Sequence, residues 1–354
     1  MRLSRLTLTH TAALLACVAA ACVPTPRPNE ASQGTDPSAA PVTTAALNKT
    51  LTEAFQPLPT SLVDAKRPPS AAQIELGRML YFESRLSKSQ DLSCSSCHRL
   101  NRFGVDNKPT SLGANGVALA RNAPSIYNAG LHVAQGWDGR FPDLEAQTRA
   151  HLLDPLVMAQ SDAADVVASV QSIPGYPPLF AAAFPHSAEP VSVDTIALSI
   201  GAFERTLLTP SPLDDYLHGD VSALSPAEIA GATLFVEAGC TTCHTGPTLG
   251  GTTHKKLGVV EAYETDDLGR FSHTGIEADR HVFKVPSLRN VAHTAPYFHD
   301  GSVRGLPTAV KLMAKHQLGK EMSDNDARTI SIFLEALNGR IDVEHTKRPK
   351  LPEG

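Results

Sequence analysis

The sequence has little methionine, a single tryptophan and no excess of basic residues. Its 354 residues include five Met and one Trp, and 31 Lys and Arg against 36 Asp and Glu give a net charge of −5. Without a basic excess the chain has little to hold a phosphate backbone, which argues against nucleic acid as a partner. Hydrophobic residues make up 42% of the chain, which is enough to bury a core and excludes disorder throughout.

Long apolar runs are missing beyond the N-terminus. Arg2 and Arg5 precede an apolar run that ends in three alanines directly before Cys22. This order predicts an export signal over residues 1–21. A cysteine after small residues also fits a bacterial lipoprotein acylated at Cys22, with Cys17 as a competing site, and an uncleaved membrane anchor is the remaining alternative. No later stretch reaches ~18 apolar residues, so we expect a soluble mature body.

Composition and length then divide the rest of the chain. Residues 22–55 are rich in Pro, Ser, Thr and Ala without an apolar period, which predicts a flexible tether. The remaining length suits two domains, which we expect at residues 56–215 and 216–345. Apolar residues recur at helical spacing over residues 195–208 and 324–337, which predicts a helix in each. Alternating strands are scarce, so the predicted fold class is mainly α.

A helix followed by a cysteine pair occurs twice. Ser70 begins a capping-box pattern, and a helix should run from there towards Phe82, ahead of the first pair. Ser225 precedes Pro226 at a first helical position, and that helix should stop at Gly239, directly before the second pair. The repetition indicates an internal duplication of a small helical unit.

Four of the six cysteines belong to two Cys-x-x-Cys-His motifs. The motifs are Cys94-Ser95-Ser96-Cys97-His98 and Cys240-Thr241-Thr242-Cys243-His244. Two thiols at this spacing can add to the two vinyl groups of one haem, and the adjacent imidazole then ligates the iron. One zinc site shared by both pairs, redox dithiols and disulfides are alternatives, but none of them needs a histidine at the next position twice. The motifs therefore predict two covalently bound haem c groups.

Methionine is scarce where a second axial ligand would come from. A haem that only passes electrons is normally six-coordinate, whereas peroxide chemistry needs an open iron position. Beyond His244 the sequence contains only Met313 and Met322. Met313 lies at the end of the loop region from which a distal ligand could return, and a core methionine is the alternative.

Several stretches of the chain resemble the bacterial dihaem cytochrome c peroxidases and the related MauG enzymes, which oxidise protein side chains. The similarity covers residues 70–340, nearly the whole mature body. The matching stretches are residues 92–98, 121–125, 137–140, 202–207, 285–291 and 294–301. The resemblance implies two class I cytochrome c-like domains, each with a covalent haem, joined at an interdomain interface.

The resemblance gives the two predicted haems different roles. It implies that the haem on His98 binds peroxide, and that the haem on His244 receives electrons and has Met313 as its sixth ligand. MauG enzymes differ here because they have a Tyr in place of this Met. Trp137 is similar to the residue that carries electrons between the haems, and a core aromatic residue is the alternative.

The resemblance also implies a calcium ion between the domains. Asn122, Thr294 and Pro296 match its ligands, the last two through their backbone carbonyls. Oxygen ligands of this kind suit a hard cation. Taken alone, Asn122 would be interpreted as a turn residue.

Two positions depart from the family's pattern near the first predicted haem. Peroxide cleavage needs a group that takes a proton from the near oxygen and returns it to the leaving one. The family uses a Glu two residues after a Pro, and this sequence has Val157 there. The family's distal His, which caps the resting iron, is matched by Ala114. We therefore expect the iron on His98 to be five-coordinate at rest.

Other residues are candidates for the missing acid–base group. Gln147 matches the family's distal Gln. His151 follows four residues later, on the same face if residues 143–151 are helical, and could enter the distal pocket as a base. A surface histidine is the alternative for His151, and His132 is a second candidate base.

These patterns leave three hypotheses for function. The first is a periplasmic enzyme that reduces hydrogen peroxide to water with electrons from a small cytochrome c or cupredoxin. The second is a MauG-like oxidase of a partner protein, against which Met313 argues. The third, favoured by Val157 and Ala114, is a dihaem electron-transfer or redox-sensing protein without turnover. A homodimer is common in the family, and a lipid anchor would tether the protein to a membrane.

Overall fold

Helices provide nearly all of the regular structure in this computed structural model, which describes residues 51–62 and 68–353. The predicted leader and lipidation site, and the tether up to residue 50, lie outside the described residues. After a helical turn at residues 51–54, the α-helices are α1 (Ala71–Tyr81), α2 (Cys94–Cys97), α3 (Leu144–Leu153), α4 (Ala163–Gln171), α5 (Tyr176–Ala183), α6 (Val193–Glu204), α7 (Pro212–Leu217), α8 (Pro226–Ala238), α9 (Phe271–Thr274), α10 (Leu306–Leu318), α11 (Asp324–Glu335) and α12 (Val343–Thr346).

Two short strands are the only paired strands in the described part of the chain. β1 (His254–Lys256) pairs antiparallel with β2 (Val282–Lys284), and His254 lies opposite Lys284. Short 3-10 helices occupy Ser84–Leu86, Leu100–Arg102, Ala114–Gly116, Ala129–Leu131, Cys240–Thr242, Glu277–Asp279 and Val291–His293. The mainly α class is confirmed, and the division into two cytochrome c-like domains stays a prediction.

Capping boxes begin the helix that precedes each cysteine pair, as the sequence predicts. Gln73 N donates to Ser70 Oγ at 3.2 Å, and Ser70 N donates to Gln73 Oε1 at 2.8 Å. Ser225 and Glu228 form the same reciprocal bonds at 3.3 and 2.7 Å. The second helix ends at Gly239 with φ of 94°, a left-handed conformation that glycine adopts without strain.

Two other helices end earlier than their apolar patterns predict. The helix expected over residues 195–208 covers Val193–Glu204, and the one expected over residues 324–337 ends at Glu335. The apolar residues beyond each end are buried in turns. In both segments the apolar residues at helical spacing therefore extend beyond the last helical hydrogen bond.

One core lies among the helices near the first cysteine pair, in the N-terminal half (residues 68–209). α1 packs along α6, and Gly77 permits this approach because a Cβ there would collide with the backbone oxygen of Ser199. The buried residues of this core include Leu76, Leu80, Leu86, Leu152, Val166, Val170, Phe180, Ile196 and Ile200. The core fixes α3 and α6 next to the first motif.

A second core lies in the C-terminal half (residues 210–340), where α8 packs against α11. Phe235 and Phe333 meet there with their ring centroids 5.5 Å apart. Leu51 and Phe55 belong to the same core and are at most 1% exposed. The prediction of a flexible tether is therefore wrong for residues 51–55, because these two apolar side chains fill the space beside α8 and α11.

The predicted limits of the C-terminal domain also differ from the structure. The boundary expected between residues 215 and 216 falls inside α7, whose Leu213 and Tyr216 are buried in the C-terminal core. The end of the chain returns to the N-terminal half, where Arg78 donates to the carbonyls of Glu344 and Lys347 at 2.9 Å each. Among the described residues, no helix combines the length and apolarity needed to cross a bilayer.

Candidate functional site

The first Cys-x-x-Cys-His motif folds into one helical turn, α2, with its histidine directly after it. His98 N donates to Cys94 O at 3.0 Å, so the thiols and the imidazole are held by a single turn. His98 Nδ1 lies 3.2 Å from Gly104 O, which fixes the ring orientation. Burial lowers the pKa of His98, which favours the neutral form that ligates a metal.

The second motif repeats this arrangement on a 3-10 turn. His244 N donates to Cys240 O at 3.0 Å, and His244 Nδ1 lies 2.9 Å from Leu249 O. Burial again lowers the pKa of the imidazole. Met313, on α10, lines the same cavity as Cys240, Cys243 and His244. Met313 therefore borders the second motif and stays a candidate for the second axial ligand.

The four motif cysteines are free, partly buried thiols. Burial raises the pKa of Cys94 to about 12 and that of Cys240 to about 11, so both are protonated at neutral pH. Reactive dithiols have lowered pKa values instead, which argues against a dithiol redox site. In the described ranges no group of three or more His, Cys, Asp or Glu is placed to hold a metal ion. The alternative of one zinc site shared by both pairs is therefore wrong.

Helix α3 presents Gln147 and His151 one turn apart. Asp143 caps it by accepting from Ala146 N at 2.7 Å, and the helix expected over residues 143–151 is confirmed. The His151 ring packs edge-on against Phe141 at 5.7 Å, and no described residue hydrogen-bonds its ring nitrogens.

His151 lies close enough to His98 for their charges to interact. Burial lowers the pKa of His151 to about 4, with smaller contributions from His98 and Arg140. The imidazole is therefore neutral at pH 7 and stays a candidate proton acceptor near the first motif.

A backbone hydrogen bond links the two segments that contain the apolar positions departing from the family pattern. Ala114 is 3% exposed, and its backbone N–H donates to Leu156 O at 2.9 Å. Val157 is partly buried and packs against the core of the N-terminal half. Neither position offers a proton-transfer group, so the candidates for this role near the first motif are the side chains on α3.

A large cavity connects the second motif to Trp137. The Trp137 indole N–H donates to Asn122 O at 2.9 Å, and its ring lies edge-on to His299 at 6.4 Å. The residues that line this cavity and were predicted as site residues are Asn122, Trp137, Cys240, Cys243, His244, Thr294, Pro296 and Met313. Trp137 therefore borders the same space as the second motif.

The three predicted calcium ligands come together at this cavity. Asn122 uses its side-chain amide to donate to Lys108 O at 2.8 Å, which leaves Oδ1 as an available acceptor. The backbone carbonyls of Thr294 and Pro296 accept no hydrogen bond from the described residues. Three neutral oxygens without donors fit the chemistry of a hard cation such as calcium.

Two buried titratable residues near the site were missed by the sequence analysis, and one candidate base is still untested. His132, the second candidate base, lines the cavity that contains the second motif, and its role stays a prediction. Lys284, which lies 3.3 Å from it, and Glu204, whose pKa is raised to about 8 mainly by burial, were not identified. Both lie next to or within stretches that resemble the family, which was the available signal.

Comparisons with known proteins agree with this arrangement. Residues 71–222 match the family model for di-haem cytochrome c peroxidase. The chain is 42% identical over 298 residues to cytochrome c551 peroxidase from Nitrosomonas europaea, which covers 83% of this chain and 87% of that protein. It is 33% identical over 299 residues to methylamine utilization protein MauG from Methylorubrum extorquens, covering 80% and 83%. The crystal structure of a MauG-like protein associated with microbial copper homeostasis matches with a TM-score of 0.73 and 31% identity, covering 82% and 97%.

The family model covers the first motif and the relatives align over most of the chain, so the resemblance drawn from the sequence is confirmed. Membership of a di-haem family implies haem c as the cofactor, and the two motifs have the residues that would hold it. Relatives that are peroxidases by name, at 40–42% identity, support a peroxidase-type oxidoreductase activity. The chain belongs to the di-haem cytochrome c peroxidase family.

Proposed function

We propose that the protein is a periplasmic enzyme that reduces hydrogen peroxide to water with electrons from a small cytochrome c or cupredoxin. The observation that carries this proposal is the contrast between the two motifs. Met313 lines the cavity of the second motif, which suits a six-coordinate electron-entry site. His151 stands near His98 without a hydrogen-bond partner, which suits a site that handles a small substrate.

The two motifs would hold haem c through their cysteines and histidines. Bound there, haem supplies iron for peroxide binding and for electron transfer. The protein orients His98 and His244 through loop carbonyls, and Trp137 stands at the cavity wall as a route for electrons. Each turnover consumes one peroxide, two electrons and two protons and releases two waters.

His151 is the residue we assign to proton transfer. Because its pKa is about 4, its ring is neutral at pH 7 and can accept a proton from one peroxide oxygen. The same nitrogen then returns the proton to the leaving oxygen, so His151 ends the cycle unchanged. Gln147, one turn earlier on α3, would orient the peroxide by hydrogen bonding.

Ala114 gives the first motif a further property. A methyl side chain cannot ligate iron, so we propose that the iron at His98 is five-coordinate at rest and ready for peroxide. An electron paramagnetic resonance spectrum of the oxidised protein should then contain a high-spin signal. A spectrum with low-spin signals alone would contradict this.

One assay tests the proposed function. Purified protein with both haems is mixed with reduced cytochrome c and peroxide, and donor oxidation is followed. His151→Ala should lower turnover by about 10²–10⁴-fold, the usual contribution of acid–base catalysis. His186→Ala is the matched control because His186 is exposed, and it should have no effect.

Other results of this assay would favour the other hypotheses. A long-lived oxidised haem without donor oxidation would favour a MauG-like oxidase, and no reaction with peroxide would favour an electron-transfer protein.

A calcium ion at Asn122, Thr294 and Pro296 is part of the proposal, and removing a bound calcium ion with a chelator should lower the peroxidase activity. A homodimer and a lipid anchor at Cys22 stay predictions.

A further inference from the structure

Lys284 is a buried cation without an acidic partner. It ends strand β2 and is 7% exposed. Among the described residues, no Asp or Glu forms an ion pair with it, and its Nζ instead lies 3.3 Å from His132 Nδ1. Burial lowers the pKa of Lys284 to about 8, so the side chain is still mostly charged at pH 7. A buried charge without a counter-charge is costly.

His132 extends this cluster with a second donor. Because the Lys284 ammonium can only donate, His132 Nδ1 must be the acceptor, and the hydrogen of the neutral ring then sits on Nε2. His132 Nε2 is buried and has no hydrogen-bond partner among the described residues. The pair therefore presents an ammonium and an imidazole N–H, and both lack an acceptor with negative charge.

The location of the pair indicates what the acceptor is. Lys284 and His132 line the cavity that also contains Cys240, Cys243 and His244. No described Asp or Glu lines this cavity. The missing negative charge must therefore come from the group that fills the cavity.

A second buried cation in the wall of this cavity differs from Lys284 because it has an acidic partner. Arg289 also lines the cavity, but it forms two short bonds to Asp214, at 2.5 and 2.9 Å. Its charge is neutralised within the protein. Lys284 is left as the buried cation whose partner is not a protein carboxylate.

We propose that Lys284 and His132 together bind a propionate carboxylate of the haem attached to Cys240 and Cys243. This inference rests on the proposed haem at the second motif. The propionates are the anionic groups of haem, and a carboxylate can accept from both donors through its two oxygens. Such charge-assisted bonds would balance the buried ammonium.

The pair also links this carboxylate to the proposed electron route. Lys284 N donates to Trp137 O at 2.8 Å, so the same residue holds the backbone of Trp137. A positive charge beside a haem stabilises its reduced form, since reduction adds an electron. We therefore expect Lys284 to raise the reduction potential of the Met313-ligated haem.

Spectroelectrochemical titration of the protein with both haems tests the proposal. Lys284→Met should lower the midpoint potential of the Met313-ligated haem and leave that of the other haem unchanged. Lys284→Arg keeps the charge and should restore most of the shift. Lys256→Met is the matched control because Lys256 is exposed on the paired strand, and it should shift neither potential.

A second readout covers the case in which Lys284→Met does not accumulate. His132→Phe removes the Nε2 donor, and resonance Raman spectra should show a displaced propionate-bending band for one haem. Wild-type potentials in Lys284→Met, or an unchanged propionate band in His132→Phe, would overturn the inference. A wild-type protein whose mass shows no haem at the second motif would instead refute the proposed function, so the two failures are distinguishable.

Discussion

The two Cys-x-x-Cys-His motifs are nearly the same in their attachment geometry and differ in the residues that approach from elsewhere in the chain. In both, the histidine amide donates to the first cysteine carbonyl at 3.0 Å, and Nδ1 faces a loop carbonyl. The second motif has a thioether nearby, from Met313 on α10, and the first has an imidazole, from His151 on α3. The shared attachment geometry is what a duplicated unit predicts, and the segments that approach each motif give the two copies different surroundings.

Removing one cysteine pair at a time should break the comparison most strongly. Cys94→Ala with Cys97→Ala should remove one haem and abolish peroxide turnover, while the spectrum of a Met-ligated haem persists. Cys240→Ala with Cys243→Ala should remove the other haem and abolish donor oxidation. Intact-protein mass and absorption spectra measure both results. Peroxide turnover that survives the first double substitution would reverse the assigned roles.

The pH dependence of turnover sharpens the role of His151. Its pKa of about 4 means that the neutral base is present above pH 4 and is protonated as the pH falls through that value. Turnover should therefore fall about tenfold per pH unit below pH 4, and remain level through pH 6.5, where an unperturbed histidine titrates. Initial rates with a donor stable in acid measure this, and an acid limb near pH 6.5 would contradict the assignment.

One ion pair in each half, buried in the C-terminal half and partly exposed in the N-terminal half, offers a comparison of stability. Arg289 and Asp214 are at most 3% exposed, whereas Arg205 and Glu145 are 29% and 11% exposed. Asp214→Asn should cost about 3–5 kcal/mol because it leaves Arg289 charged and buried. Glu145→Gln should cost less, since water can solvate Arg205. Denaturant unfolding measures both, and equal losses would show that exposure does not set the difference.

The smallest expected effects come from the two capping boxes. Ser70→Ala and Ser225→Ala should each lower the free energy of unfolding by about 0.5–2 kcal/mol, because each removes one side-chain cap. Similar losses would support the duplication, and thermal unfolding provides the measurement.

Local sequence predicted the parts of the site that are local in structure. A haem-attachment motif lies within five residues, and a capping box lies within four, so both could be identified without knowing the fold. His151 was placed correctly on the face of α3 that also carries Gln147, because helical spacing decides that. Each of these features depends on neighbours in the chain.

Features that depend on distant segments could not be predicted in this way. The surroundings of His132 come from Lys284 and Gly251, more than a hundred positions later, so its contact with Lys284 could not be predicted. Leu51 and Phe55 were assigned to the tether because the composition around them is that of a linker. Their burial is decided by a core whose other members lie beyond residue 212.

The ends of the described chain cross over between the two halves. Leu51 and Phe55 complete the C-terminal core, and the last residues lie on the N-terminal half, where Arg85 also donates to Pro352 O at 2.8 Å. A gene split near residue 210 would give two fragments that each lack a piece held by the other. The crossing ties each half to the other at both ends of the described chain, so any motion that separates the halves must first break one of these contacts.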